Sequence, residues 1–324
     1  MMVDLIEKRA VLHVHTNASD GTGSIEEVIR IAGAADVDIL GINDHNTLDA
    51  RERGFGGWQS SLFVLAGAEL EDEAENSHLL VYGVDELPET WNTSDQISFI
   101  NEKGGIAIAA HPTEAPGKLP RTRSYSWKAG NAAEALSGVE VWNYMSLWKK
   151  GISPFNAAAK LRSPDMHVEH PDPLAVEFWE RTGGCAIAGP DAHALRFGIG
   201  RFRLEVFPYE MMFRRLQTHI LLDADLSDSN EIAEKQICRA LKEGSCFTSN
   251  VLYGDASGFR AGREDGCILL DLPGAGEVTL SRSGTPLWQS YLEAGSHRVD
   301  MEVTERVSIS VFREGRTWIY CAIL

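Results

Sequence analysis

The sequence predicts an α/β fold, a parallel sheet or barrel followed by a small C-terminal β-rich domain, and three observations carry that prediction. Apolar runs of strand length alternate with stretches of helical periodicity through the first two thirds of the 324 residues. Histidines and carboxylates recur at the C-terminal ends of those apolar runs, the face that carries chemistry in parallel α/β barrels. From about Asn250 the pattern changes to short alternating runs such as CILLDL, EVTLSRSG, HRVDMEV and VSISVF.

The first apolar strand runs into His13-Val14-His15, and Asp20 follows in a glycine-containing turn. Alternation along a strand points residues i and i+2 the same way, so His13 and His15 would project together, as chelators or as the polar cap of a core strand. Ser24 and Glu27 form a capping box, and Ile25, Val28, Ile29 and Ala32 recur at helical spacing behind it. DILGINDH (38–45), LFVLAGAEL (62–70), GIAIAAHP (105–112), GVEVWN (138–143) and CAIAGPDAH (185–193) read as buried strands. Helical stretches fall between them around 93–103, 153–161 and 173–182, while NSHLLVYGV (76–84) reads as an extra hairpin arm. The helix suggested by residues 229–244 ends at Gly244. A division into residues 1–249 and 250–324 follows, the second unit small but within the range of an independent domain.

Composition narrows the function classes. Acidic residues outnumber basic ones 47 to 30, and the net charge of -17 opposes binding to duplex nucleic acid or to an anionic membrane, which need a positive field. No apolar run reaches the ~18 residues of a membrane span, and the N-terminus lacks a signal-peptide pattern, so a cytoplasmic protein is expected. The five cysteines are scattered without C-x-x-C spacing, which points to reduced thiols rather than a zinc or redox motif.

His45 ends the second long apolar run, Glu69 the third, His111 the fourth, and Asp191 with His193 a later one. The order H-x-H, D, DH, a lone Glu after a strand, H, HP and D-x-H resembles the PHP superfamily, the polymerase and histidinol phosphatase type of metallohydrolase, over residues 10–200. That resemblance implies a distorted (β/α)7 barrel and a centre of up to three metals. Carried over position by position, it implies one ion on His13, His15, Glu69 and Asp191, a second on Glu69, His78 and His111, and a third on Asp20, His45 and His193. Glu69 would bridge. Such imidazole and carboxylate ligands suit Zn, Mn or Fe alike. The segment after residue 200 resembles, more loosely, the branch containing carbaryl hydrolase-like enzymes.

The chemistry implied is hydrolysis by a water that bridges cations, with no Ser or Cys nucleophile required. Asp191 is the candidate to take the water's proton, as the matching aspartate does in the wider amidohydrolase group. For a small anionic substrate, Arg196 lies three residues past His193, and Lys118, Arg121 and Arg123 sit in a basic loop after His111. Asp44 is expected to support rather than ligate, and Glu140 to be a satisfied structural carboxylate. Trp127, Trp142, Trp148 and Trp179 are expected in the core, and His167 and His170 at the surface.

The leading expectation is a metal-dependent phosphoesterase on a small phosphorylated metabolite or nucleotide. An aryl ester or carbamate hydrolase is the alternative, and a non-catalytic metal-binding module ranks below both. The sequence leaves substrate, metal and oligomeric state open.

Overall fold

The computed structural model describes residues 5–119, 122–199, 202–301 and 305–323. β1 (Ile6–Val14) leads into α1 (Ile25–Ala34), whose N-cap Ser24 accepts the Glu27 N–H at 3.2 Å as the capping box requires. Then come β2 (Ile39–His45), α2 (Asp49–Glu52), β3 (Gly57–Gln59), β4 (Leu62–Leu70), β5 (Leu79–Tyr82), α3 (Thr93–Glu102) and β6 (Ile106–Ala109). β7 (Gly138–Asn143), α4 (Tyr144–Lys149), α5 (Ala157–Arg162), α6 (Pro173–Thr182) and β8 (Cys185–Gly189) follow. After the pair β9 (Leu195–Ile199) and β10 (Phe202–Val206), the chain continues through α7 (Tyr209–Met212), β11 (Leu216–Leu222), α8 (Asn230–Lys242) and β12 (Cys246–Asn250).

β1, β2 and β4 run parallel, as do β6, β7 and β8, but β5 lies between β4 and β6 antiparallel to both. The segment expected as an extra hairpin arm does pair back antiparallel on β4, but as an interior strand of the sheet rather than an appendage. Its sequence explains this: all four residues of LLVY are buried, so both faces of the strand need a neighbour. Alternate residues of the long strands fall into two cores. Val11, Leu40, Val64 and Val81 face one, Leu12, Ile39, Phe63 and Leu80 the other, and Ile237 and Leu241 of α8 pack on the second. Continuous apolar runs thus mark strands buried on both sides.

The sheet is mixed and curled, and among the described residues its ladder does not close. The strand path ends at β8. Across the gap, the Thr218 hydroxyl accepts the Ala188 N–H and donates to the Ala188 carbonyl, each at 3.0 Å, and a single parallel bridge joins Val14 to Ala192. The (β/α)7 barrel implied by the resemblance is not what this strand order shows. A threonine side chain here does what a ladder does elsewhere.

The C-terminal segment supplies β13 (Arg260–Glu264), β14 (Cys267–Leu272), β15 (Gly276–Arg282), β16 (Thr285–Leu292), β17 (Gly295–Val299), β18 (Val307–Arg313) and β19 (Arg316–Ile323). β13, β14 and β17 form a small antiparallel sheet, whereas β15, β16, β18 and β19 extend the large one. β19 pairs with β12 through Thr248–Tyr320 and Ser249–Ile319, so the expected border at residues 249 and 250 runs through a strand that serves both units. Phe247, Phe259, Ile268, Val278, Ile309 and Trp318 form a third core there. All five cysteines are free and buried, and no helix of the described residues is long and apolar enough to cross a membrane.

Candidate metal centre

The nine histidines and carboxylates singled out as ligands come together at one edge of the curled sheet. His13 lies near the end of β1 and His15 just past it, His45 ends β2, Glu69 lies near the end of β4, and His111 and Asp191 follow β6 and β8. His78 precedes β5, whose antiparallel direction brings its start to the same edge. Simple alternation does not place the first pair: the β1–β2 register shifts between Val11 and Val14, and His13 has φ +66°. His111 (φ +28°) and Asp191 (φ +54°) also occupy this sparsely populated region, where a non-glycine backbone is held at a cost of order 1–3 kcal/mol by its surroundings.

Three groupings emerge from the distances. Oε2 of Glu69 lies 3.3 Å from His13 Nε2 and 3.2 Å from His15 Nε2, and Oδ1 of Asp191 lies 3.5 Å from each of the same nitrogens. Oε1 of Glu69 lies 2.8 Å from His78 Nδ1 and 3.1 Å from His111 Nε2. Oδ1 of Asp20 lies 3.1 Å from His193 Nε2 and 3.8 Å from His45 Nε2. The sets overlap: His15 Nδ1 is 3.6 Å from Asp20, and His45 Nδ1 is 3.6 Å from Glu69. Proximity also groups His13 with His111 and Asp191, and His45 with Glu69 and His78, so assignment of each ligand to one ion is not unique.

Whether these residues fit a metal is tested by hydrogen bonding. Both ring nitrogens of His15, with Nδ1 of His45, Nε2 of His78 and Nδ1 of His111, are buried without a hydrogen-bond partner. Leaving such groups unsatisfied costs about 1–3 kcal/mol each; ligation relieves that at His15 and His45, whose orphaned nitrogens face Glu69, Asp20 and Asp191, whereas those of His78 and His111 are the ring nitrogens turned away from Glu69. The donor set of imidazoles and carboxylates suits a divalent transition metal. Ligand atoms ~2.0–2.2 Å from a tetrahedral ion sit roughly 3.3–3.5 Å apart, the separation seen around Glu69 Oε2 and Asp191 Oδ1. The residues fit.

The field is that of a cation trap. Burial works against charge on Glu69 and Asp191, yet the surrounding imidazoles hold both carboxyls well below the usual range. Burial likewise opposes charge on His13, but Glu140, Asp191 and Glu69 outweigh it and push its pKa well up. His45 rises to about 9, burial again being overcome, by Glu69, Glu71 and Asp20, and Asp20 falls to about 2 against burial because His193 bonds to it. Protons and metal ions compete for the same positions.

Supporting residues complete the edge. Asp44 accepts from the Thr16 N–H and hydroxyl, each at 2.7 Å, and from Ser19 Oγ at 2.6 Å, so it orders the loop that carries Asp20, as its strand position suggested. Glu140 is buried and satisfied, its oxygens meeting the His13 ring, the His111 N–H and the Asn143 amide. Asn143, which sequence reasoning missed, donates to Glu140 at 2.9 Å and to Asp191 at 3.3 Å. The Tyr209 hydroxyl donates to the His15 carbonyl at 2.8 Å. Trp142, Trp148 and Trp179 are core residues, Trp127 packs on the core partly buried, His167 is exposed, and His170 meets Thr317 of the C-terminal segment.

The residues expected to recognise an anion are not gathered in the same way. Arg121 lies outside the described residues. Arg196 sits on β9 and donates to Glu205 of β10 at 2.9 Å; that bond raises its pKa and commits its charge. Lys118 is exposed. Arg123 bonds Glu75 and lies over Tyr125, whose ring centroid is 4.8 Å from that of His78. Lys149, not singled out from the sequence, pairs with buried Glu114 and stands over the same Tyr125 ring at 4.9 Å. A cleft of about 850 Å³ lies at the opposite strand ends, beside Arg51, Gly83, Lys103, Glu234 and Cys238, and contains none of the nine.

No protein-family profile matches this chain. It is 28% identical over 153 residues to an uncharacterized protein of Methanocaldococcus jannaschii, a match covering 42% of this chain and 81% of that protein. Among solved structures it is similar to a two-domain protein of Bacteroides vulgatus containing a predicted PHP-like metal-dependent phosphoesterase, with TM-score 0.50 and 11% identity over 99% of this chain and 96% of that one. An amidohydrolase of Chromobacterium violaceum, solved with bound sulfate and no metal, aligns with TM-score 0.35 and 15% identity, covering 62% of this chain and 92% of that one. The likeness to the Bacteroides vulgatus protein, along the whole chain, is one of mixed α/β fold. What defines the class of this protein is therefore that fold together with a buried cluster of histidines and carboxylates able to hold divalent metal.

Proposed function

We propose that this chain is a metal-dependent hydrolase of the PHP superfamily, a phosphoesterase acting on a small anionic phosphoester. One observation carries the reading: Glu69 turns one oxygen to His13 and His15 and the other to His78 and His111, with Asp191 closing the first set. A carboxylate shared in this way is what a multinuclear centre requires. We assign two or three ions, of Zn, Mn or Fe, to the sets around Asp191, His111 and Asp20. Such ions, when bound, acidify a water and hold the attacking and leaving oxygens of an ester.

The protein's own groups do the rest. Asp191 receives the water's proton: its Oδ1 faces His13, His15 and His193, while Asn143 holds Oδ2. Glu69 keeps the ligand sets at fixed separation. Arg123 is the leading substrate contact, because Tyr125 ties it to His78, and Arg121 and Lys118 follow it, whereas Arg196 is held by Glu205 and takes no part. In the same proposal residues 1–249 form the catalytic unit, residues 250–324 support it, and five free cysteines suit a reducing cytoplasm.

A second reading is a hydrolase of neutral aryl esters or carbamates, as in the carbaryl hydrolase-like branch. The commitment of Arg196 to Glu205 and of Arg123 to Glu75 favours it, since neither guanidinium stands free for a phosphate. Metal analysis of the purified protein, with a panel of chromogenic phosphomonoesters, phosphodiesters, aryl esters and carbamates, decides between them. No turnover on any of these with metal fully loaded would leave only a metal-binding module.

A further inference from the structure

Glu140 is 1% exposed at the centre of β7, a strand buried at every position. A carboxylate in such a place is costly unless its oxygens are filled. Oε1 lies 2.9 Å from His13 Nδ1, while Oε2 accepts the backbone N–H of His111 and the amide of Asn143, both at 2.9 Å. Room for it is made on β8: a Cβ at Gly189 would stand 2.3 Å from Oε1. The two residues it grips from opposite sides, His13 by its ring and His111 by its backbone, both hold positive φ. They also belong to the two sets that meet at Glu69.

We propose that Glu140 is a positioning residue that fixes the ring tautomer of His13 and ties the His13 and His111 sets together, so that the two take up metal as a unit. The inference rests on the reading of the cluster as a metal centre. With the proton on Nδ1 given to Glu140, the lone pair of Nε2 points into the space between Glu69 and Asp191, where a cation needs it. A displacement of His13 on ligation reaches His111 through a single rigid carboxylate rather than through a loop. Glutamine keeps the shape but has one carbonyl oxygen, so it can accept from His13 or from His111 and not from both.

The test is titration of the metal-free protein with Co²⁺ alone, followed by calorimetry and the Co²⁺ visible spectrum, on the wild type and on Glu140→Gln. Wild type is expected to take up its first two equivalents in one phase. Glu140→Gln is expected to split that phase, one site weakening about 10- to 100-fold with circular dichroism unchanged. Superimposable titrations of the two proteins overturn the inference. So do affinities that fall together and only in proportion to a lowered Tm. Should the variant not fold, the histidine ¹⁵N spectrum of Zn-loaded wild type answers: a proton on His13 Nδ1 supports the assignment, and the opposite tautomer overturns it. Failure of wild type to bind Co²⁺ at all would instead remove the metal-centre reading.

Discussion

Nδ1 of His78 lies 2.8 Å from Oε1 of Glu69, the one just before β5 and the other near the end of β4, neighbouring strands of opposite direction. The end of β4 and the start of β5 share one edge, so a ligand that begins a strand meets a ligand that ends one. Glu69 owes its second set of partners to that reversal.

Glu69→Gln is therefore expected to remove at least one metal equivalent and to lower turnover by 100-fold or more. Asp44→Asn places an amide among the Thr16 and Ser19 donors and should cost about 1–3 kcal/mol of stability while leaving the Glu69 ions bound. Elemental analysis and thermal melts of both variants check this. Equal, mild effects would show that the ligand assignment is wrong.

Reconstituted protein should hold two to three divalent ions per chain, since Glu69 can serve two and the Asp20 group a third. A stoichiometry of one or fewer after loading and desalting would contradict a multinuclear centre.

Without metal, the protein should lose stability as pH rises. The folded-state pKa of His45, about 9, stands above its unfolded value near 6.5, so its contribution is complete below pH 6.5 and lost as pH passes 9. About 2.5 pH units correspond to at most ~3.4 kcal/mol, or about 5 °C in Tm for a chain of this length. Asp20 acts in the opposite sense: its stabilising effect is present above about pH 4 and fades as pH falls toward its folded pKa of about 2. Melts in chelator at pH 6 and pH 9 should show the decline, and metal-loaded protein should not. Equal Tm values in chelator would mean the carboxylates do not hold these protons.

Phosphomonoesters should exceed neutral aryl esters by at least about tenfold in kcat/KM, ~1.4 kcal/mol, which one arginine–phosphate contact can supply. Arg123→Ala should raise KM for the phosphomonoester, while Arg196→Ala, already bound to Glu205, should change it less than twofold. A substrate ratio near unity would select the ester or carbamate reading.

Removing residues 250–324 should cost solubility first. Thr248 and Ser249 of β12 would lose their partners on β19, and Phe247, buried among the C-terminal strands, would face water. Sedimentation of the shortened chain measures this. A soluble product that binds metal but has no turnover would show that the C-terminal segment contributes to the substrate site.

Much of this protein was legible from local pattern. Periodicity located β2, β4, β7, α3 and α6 to within a residue, because burial on both faces demands unbroken apolar runs and an amphipathic helix demands its spacing. His13, His15, His45, Glu69, His111, Asp191 and His193 stood out by falling at the ends of apolar runs, while the full set of nine, with Asp20 and His78, came from the resemblance to the PHP superfamily. Partners were not legible. Periodicity records that LLVY is buried, not that it runs antiparallel between β4 and β6, and it records an arginine near His193, not the Glu205 that occupies it. Glu140 and His13 are separated by 127 positions and meet only because β7, β8 and β1 curl toward one another. A strand's own residues determine which of its faces must be covered, but hydrogen bonds across the sheet are exchanged between segments that carry no local record of each other, so strand order, the open edge at β8 and the support beneath the ligands were decided by tertiary structure.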